Sequence, residues 1–154
     1  MPLVVLLMGF GVTRNPTLGP LAASLRSGWL VVHVFFAWLA FGAYGLAAPL
    51  QLVRLDELIF RWILFGFIAD TVMIASGAIW ARDLWGSYWS WDPVETWSLL
   101  SFLVYGLVLH LRKTLGWRGR RIAWIVVGAI VTVIVTFWGV NLVMQGSAHV
   151  FNVG

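Results

Sequence analysis

Four tryptophans, one tyrosine and two carboxylates lie within residues 85–97, between two long apolar runs. Tryptophans concentrate at membrane interfaces as anchors, which accounts for Trp80 and Trp97 but not for close clustering in a loop. Trp85, Trp89 and Trp91 lie among glycine and serine residues that are typical of turns. We therefore expect these three indoles to form an aromatic surface that a flat, apolar ligand could contact.

Three histidines form the second group that could do chemistry: His33, His110 and His149. A neutral imidazole is the commonest metal ligand, although a hydrogen-bonded histidine at the interface is the simpler interpretation. His33 and His149 are expected at the same membrane face as the tryptophans. His110 is predicted about 25 Å from them, at 1.5 Å of helix rise per residue, so it cannot bind the same metal ion.

The two carboxylates have a structural interpretation of their own. Asp92, Pro93 and Glu95 match the N-cap, the first helical residue and the capping-box position of a helix that starts here. We expect Asp92 and Glu95 to bind the open backbone amides of that helix. A rigid cap would also hold the preceding tryptophans in one arrangement.

Composition places these residues in a membrane. The chain is 61% hydrophobic and only 10% charged, whereas a soluble domain carries roughly 25% charged residues. It has no cysteine, which excludes thiol chemistry within this chain. We predict an all-α integral membrane protein, a bundle of four transmembrane helices with an external tryptophan-rich loop. The spans are expected at about residues 29–50, 62–80, 93–111 and 122–144, within a single domain of residues 28–154 that follows an external or interfacial lead-in, residues 1–27.

The basic residues predict the orientation. Seven of the ten lie in the connections between the first and second and between the third and fourth spans. Short connections rich in lysine and arginine stay in the cytoplasm. Both termini and the tryptophan loop are therefore expected on the outer side, and we predict a bacterial plasma membrane.

One ionisable residue falls inside a span. Asp70 lies near the middle of the second span, where a carboxylate costs roughly 2.5–3.5 kcal/mol on insertion scales. We expect it to be protonated or to have a partner, with Thr71, Thr132, Thr136 or another subunit as the options.

The sequence of residues 85–97 resembles the tryptophan-rich WWD signature of haem-handling proteins in cytochrome c maturation. Its Pro-x-Glu-Thr-Trp continuation is similar to the CcsA (ResC) branch. The likeness extends through residues 20–33, 55–58, 76–81 and 137–142, and so covers nearly the whole chain from residue 20 onward. The ending at residues 148–151 is also similar to the CcmF branch.

This resemblance implies a ligand and its site. The ligand would be non-covalent haem b, with its iron between His33 and His149. His110 would belong to a second haem site inside the membrane, and Arg82 is a cation within plausible reach of the haem propionates. The tryptophan segment would supply the remaining contacts through Trp85, Gly86, Tyr88, Trp89, Trp91 and Asp92.

The resemblance also implies a function. The chain would present haem at the outer face for covalent attachment to apocytochrome c, as in system II, and would form part of a haem lyase with a CcsB/ResB-like membrane protein. Membrane lipids would surround it, and no nucleic-acid partner is expected. Two alternatives stay open: a haem transporter without ligation activity, and a non-catalytic membrane subunit of an electron-transfer complex.

Overall fold

The computed structural model describes residues 26–50 and 56–139, which are helical apart from short connections and contain no strand. This confirms the all-α prediction for the described part of the chain. Residues 1–25, which include most of the predicted lead-in, lie outside these ranges. The helices are α1 (Gly28–Leu50), α2 (Asp56–Trp85), α3 (Pro93–Thr114) and α4 (Arg120–Ile134), which continues into a π-helical turn (Val135–Gly139).

Three of these helices, α1, α2 and α3, are long and apolar enough to cross a membrane. The bounds of α1 and α3 lie close to the predicted spans. Helix α2 has 30 residues, or about 45 Å, and exceeds the predicted span 62–80 at both ends. Charged residues mark the ends of the apolar run, but the helix continues past them. Residues such as Asp56 and Arg82 can be helical outside the hydrocarbon region. The predicted fourth span, 122–144, continues past the described residues.

The four helices form a bundle in which each helix packs on the next and α4 packs back on α1. Small residues allow the close approach of α1 to its neighbours. Ala40, Ala43 and Ala47 face the interior of the bundle and are almost completely buried. This close packing brings side chains from α1, α2 and α3 into direct contact in the core.

Asp70 has a partner, as expected, but this partner is a tyrosine and not one of the three threonines considered. The Tyr44 hydroxyl donates to Asp70 Oδ2 at 3.1 Å, and the Tyr44 ring stacks on Tyr105 with centroids 3.5 Å apart. The three threonines instead donate to carbonyls of their own helices, as threonine commonly does in a helix interior. These carbonyls belong to Phe67, Ala129 and Thr132.

The end of the bundle opposite the tryptophan loop carries the basic connection. Arg112 Nη2 lies 2.9 Å from Glu57 Oε1, and Arg118 Nη1 lies 3.7 Å from the same oxygen. These contacts tie the end of α3 and the α3–α4 connection to the start of α2. Because Glu57 is largely exposed, each contributes at most about 1 kcal/mol.

Candidate functional site

A cavity of about 260 Å³ lies at the end of the bundle where α1 and α3 begin and where α2 and α4 end. Its wall is mainly apolar and aromatic, and the loop between α2 and α3 closes one side. The lining includes His33, Trp38 and Phe41 from α1, Met73, Gly77 and Trp80 from α2, Tyr88 and Trp89 from the loop, Glu95 and Ser98 from α3, and Thr136.

The hydrogen bond of His33 defines its tautomer. Its Nδ1 lies 2.8 Å from the backbone carbonyl oxygen of Met73. A carbonyl can only accept, so Nδ1 carries the proton and the lone pair lies on Nε2. Metal-binding histidines commonly donate one ring N–H to a backbone carbonyl in this way, which fixes the orientation of the ring. The Met73 carbonyl thus fixes both the orientation and the tautomer of the His33 ring.

Helix α2 contacts the His33 ring at Gly77. A Cβ atom at Gly77 would lie 2.6 Å from His33 Nδ1 and 2.9 Å from Cε1. Only glycine allows the two helices to hold the ring at this position. Gly77 was not predicted as a site residue from the sequence, although an isolated glycine within a helix often has a packing reason.

The predicted capping box is confirmed. The Asp92 side chain accepts a hydrogen bond from the backbone N–H of Val94 at 2.9 Å. Glu95 Oε2 accepts from the backbone N–H groups of Ser90 and Asp92, at 2.8 and 3.3 Å, and from the Ser90 hydroxyl at 3.2 Å. One buried carboxylate therefore holds the last part of the loop against the start of α3.

The loop contains a residue in an unusual backbone conformation. Trp91 has a φ of 60°, in the left-handed region, which costs a residue with a Cβ atom roughly 1–2 kcal/mol. The Thr96 hydroxyl donates to the carbonyl oxygens of Trp91 and Asp92, at 3.3 and 3.0 Å. Together with Glu95, it holds Trp91 in place from both sides.

The tryptophans have different roles in the structure. Trp89 lines the cavity, and within the described residues its Nε1 is buried without a hydrogen-bond partner. The Trp91 ring meets Trp89 edge to face at 5.9 Å but is itself 70% exposed. Trp85 is the last residue of α2 rather than a loop residue, and it contacts Trp80 at 5.0 Å. The structure thus places one of the three indoles in the cavity wall and two outside it.

Trp80 was expected to be an interfacial anchor, and that expectation was wrong. Its side chain is 2% exposed and lines the cavity. An anchor must contact the headgroup region, which a buried side chain cannot do. The position of Trp80 at the end of an apolar run could not distinguish an interfacial anchor from a cavity-wall residue, because tryptophans of both kinds occur at the end of a span.

The loop between α2 and α3 is also packed by Arg82, Gly86 and Tyr88. The Arg82 guanidinium lies over the Tyr88 ring, 5.2 Å from its centroid, and Tyr88 lines the cavity. Gly86 has a φ of 79°, which permits the sharp turn directly after α2. Of these three predicted contact residues, Tyr88 lines the cavity and Arg82 contacts Tyr88.

The other two histidines that were predicted as haem ligands are not among the described residues of this cavity wall. His110 is exposed near the opposite end of α3, and its Nδ1 lies 3.4 Å from the Thr114 hydroxyl. It is thus well separated from His33, and its assignment to a second haem site stays a prediction. His149 lies outside the described residues.

The described bundle is that of an integral membrane protein with several spans and an aromatic cavity at one end. Comparison with known proteins identifies the family. Residues 1–148 match the family described as cytochrome C assembly protein. The chain belongs to this family, as its resemblance to the WWD proteins predicted.

Curated relatives carry the name cytochrome c biogenesis protein CcsA. One from Synechococcus sp. (strain RCC307) is 38% identical over 82% of this chain and 55% of its own length. Another from Chlamydomonas reinhardtii is 37% identical over 82% of this chain and 42% of its own length. A third, from Prochlorococcus marinus (strain MIT 9303), reaches 49% identity over 60% of this chain and 29% of its own length. The chain spans about half the length of the first of these relatives.

Proposed function

We propose that this chain binds haem b in the cavity and presents it at the outer membrane face for attachment to apocytochrome c. The observation that carries the proposal is the hydrogen bond and the position of His33 in the cavity wall. Its Nδ1 is bonded to the Met73 carbonyl, its lone pair lies on Nε2, and the ring forms part of an aromatic cavity wall. An imidazole of this tautomer is a standard axial ligand for haem iron.

The apolar and aromatic cavity wall suits a flat apolar molecule. Its volume, about 260 Å³, lies just below the roughly 300–1,000 Å³ of typical ligand pockets. We infer that part of the haem ring stays outside the cavity, beside the exposed indoles of Trp85 and Trp91.

The second axial ligand in this proposal is His149. The described chain ends at residue 139, three residues after Thr136, which lines the cavity. Ten further residues can span up to about 33 Å when extended, so the length of the chain allows His149 to reach the iron. The family resemblance assigns the same role to this histidine.

Arg82 is the proposed partner of a haem propionate. Replacing Arg82 by Gln is expected to weaken haem binding by about ten- to a hundredfold, because a hydrogen bond to a charged group contributes roughly 1.5–3 kcal/mol. Haem titration of the purified protein measures the change. Arg82→Lys keeps the charge but loses the planar guanidinium, so its haem affinity should lie between those of wild type and Arg82→Gln. Equal affinities for wild type and Arg82→Gln would remove Arg82 from the site.

The chain's contribution to attachment is to position its substrate. The thiols of the apocytochrome would add to the haem vinyl groups, and holding reactants in place can supply much of a barrier reduction. Glu95 is the acid in the described cavity wall, and its Oε2 accepts three hydrogen bonds from the loop. We therefore assign no acid or base step to it. In this proposal a CcsB/ResB-like membrane protein completes the haem lyase.

Visible spectra of the purified protein, reconstituted with haem and compared with histidine variants, test the proposal. Wild type should show a low-spin haem, because two imidazoles complete the iron coordination. His33→Ala and His149→Ala should each lose that signal or become high-spin. His110→Ala is the matched control, and it should keep the low-spin signal because His110 lies at the other end of α3.

Two results would contradict the proposal. If wild type binds no haem after reconstitution together with a CcsB-like partner, the cavity is not a haem site. If His33→Ala retains a low-spin spectrum identical to wild type, another residue ligates the iron. A low-spin signal lost only in His110→Ala would favour the transporter alternative.

A further inference from the structure

A second buried polar group lies deeper in the bundle than the cavity. It consists of Tyr44 from α1, Asp70 from α2 and Tyr105 from α3, and the exposed fraction of each is 0%. Asp70 lies one helical turn from Met73, which lines the cavity. Asp70 accepts a hydrogen bond from Tyr44 and interacts electrostatically with Tyr105.

Two buried atoms of this group lack a hydrogen-bond partner within the described residues. Among the described residues, Asp70 Oδ1 and the Tyr105 hydroxyl are buried without a hydrogen-bond partner. Buried polar atoms are nearly always paired, so an unpaired carboxyl oxygen and an unpaired hydroxyl in one cluster indicate that something polar and small binds there. The two atoms are not hydrogen-bonded to each other, and protonation would make Asp70 Oδ1 a donor instead of an unpaired acceptor.

The charges around Asp70 favour a proton over an ion pair. Its titratable neighbours are Tyr44 on α1 and Tyr105 on α3, and neither supplies a positive charge. The described part of α4 presents apolar residues to the core, namely Ile122, Val126, Ala129 and Val133. An ionised carboxylate inside a membrane without a cationic partner is strongly disfavoured, so protonation is the available way to neutralise it.

A buried polar face of α3 connects this group to the cavity. Glu95, Ser98, Ser101 and Tyr105 follow one another at intervals of three or four residues, which places them on one side of the helix. All four are buried, and Glu95 and Ser98 line the cavity. The serine hydroxyls donate to carbonyls of their own helix, at 2.8 Å, so their oxygens can still accept from water or from another hydroxyl.

We propose that Asp70 is a proton-binding site inside the membrane, and that its proton exchanges with solvent through the cavity along Ser98, Ser101 and Tyr105. The step is a transfer of one proton to or from Asp70 Oδ1, with no electron transfer and no other reactant. Such a site would let the charge of the bundle interior change by one unit when a charged ligand enters or leaves the cavity. It does not depend on that ligand being haem.

Infrared spectroscopy of the ligand-free full chain tests this inference. Wild type at neutral pH should show the carbonyl stretch of a protonated carboxylic acid, and Asp70→Asn should lack it. Transfer to D₂O should shift the band as the proton exchanges. Ser101→Ala should slow this exchange about tenfold, the effect of raising a barrier by about 1.4 kcal/mol. Thr71→Val is the matched control, since Thr71 is an exposed hydroxyl on α2 and its exchange rate should equal that of wild type.

Tyr44→Phe provides a second assignment if Asp70→Asn does not fold, because loss of the Tyr44 hydrogen bond should move the same band. A protein without this band at any pH at which it stays folded would have an ionised Asp70, which overturns the inference. Unchanged exchange in Ser101→Ala would refute the path. Because the measurement needs no haem, its outcome is independent of whether the cavity binds haem.

Discussion

Gly77→Ala should weaken haem binding strongly while leaving every predicted ligand in the chain. The new methyl group would lie 2.6 Å from His33 Nδ1, so the imidazole must move and lose its hydrogen bond to the Met73 carbonyl. Overpacking of this kind costs roughly 1–3 kcal/mol. We expect haem affinity to fall by about ten- to a hundredfold, since each tenfold corresponds to about 1.4 kcal/mol.

Haem titration and the spin state of the bound iron measure this effect. Gly42→Ala is the matched control, because Gly42 lies in α1 and a Cβ there meets nothing within 4 Å. It should bind haem as wild type does. A Gly77→Ala protein with wild-type affinity and a low-spin spectrum would show that the His33 ring has room to adjust, and the close contact would then have no part in haem binding.

The features predicted well from sequence were those that depend on local pattern. The helix start at Asp92 followed from the N-cap, proline and glutamate spacing, and the capping box is present as expected. The apolar runs placed α1 and α3 to within three residues at either end. In both cases the determining interactions lie within one turn of helix or within one apolar segment, so neighbouring residues suffice to predict them.

The features that sequence could not predict depend on contacts between helices. Asp70 accepts from Tyr44, 26 residues away, and no local pattern connects the two. The residues next to Gly77 and Trp80 in the sequence form a regular helix, and their pattern does not indicate that either residue lines a cavity. Their roles arise from the approach of α1 to α2, which small residues on α1 permit but do not specify.

The loop conformation was foreseen in principle but not in its detail. The cap was expected to hold the tryptophans, and the structure adds that Glu95 binds Ser90 as well as Asp92. It also gives Trp91 a left-handed backbone. A residue with a Cβ atom seldom adopts this conformation, so propensity alone would predict a different path for the loop.

Glu95→Ala should release the tryptophan loop and remove haem binding without touching a histidine. The substitution deletes an acceptor of three hydrogen bonds, which leaves the backbone N–H groups of Ser90 and Asp92 without their Glu95 acceptor. Loss of a helix cap costs roughly 0.5–2 kcal/mol, and loss of the acceptor of the Ser90 N–H adds about 1–3 kcal/mol. The left-handed Trp91 then loses part of its support, and Trp89 is no longer held in the cavity wall.

Thermal unfolding and haem titration, the latter well below the unfolding temperature, separate the two consequences of Glu95→Ala. We expect a loss of stability of about 2–4 kcal/mol from the cap and from the lost hydrogen bond of the Ser90 N–H. Glu95→Gln, which keeps an acceptor oxygen but removes the charge, should retain part of the haem affinity. Glu57→Gln is the control, because this largely exposed acid lies at the opposite end of the bundle and its loss should change stability by less than about 1 kcal/mol. Wild-type haem affinity in a folded Glu95→Ala protein would mean that His33 and the cavity wall bind haem without an ordered loop. The tryptophan segment would then be free to serve the apocytochrome rather than the haem.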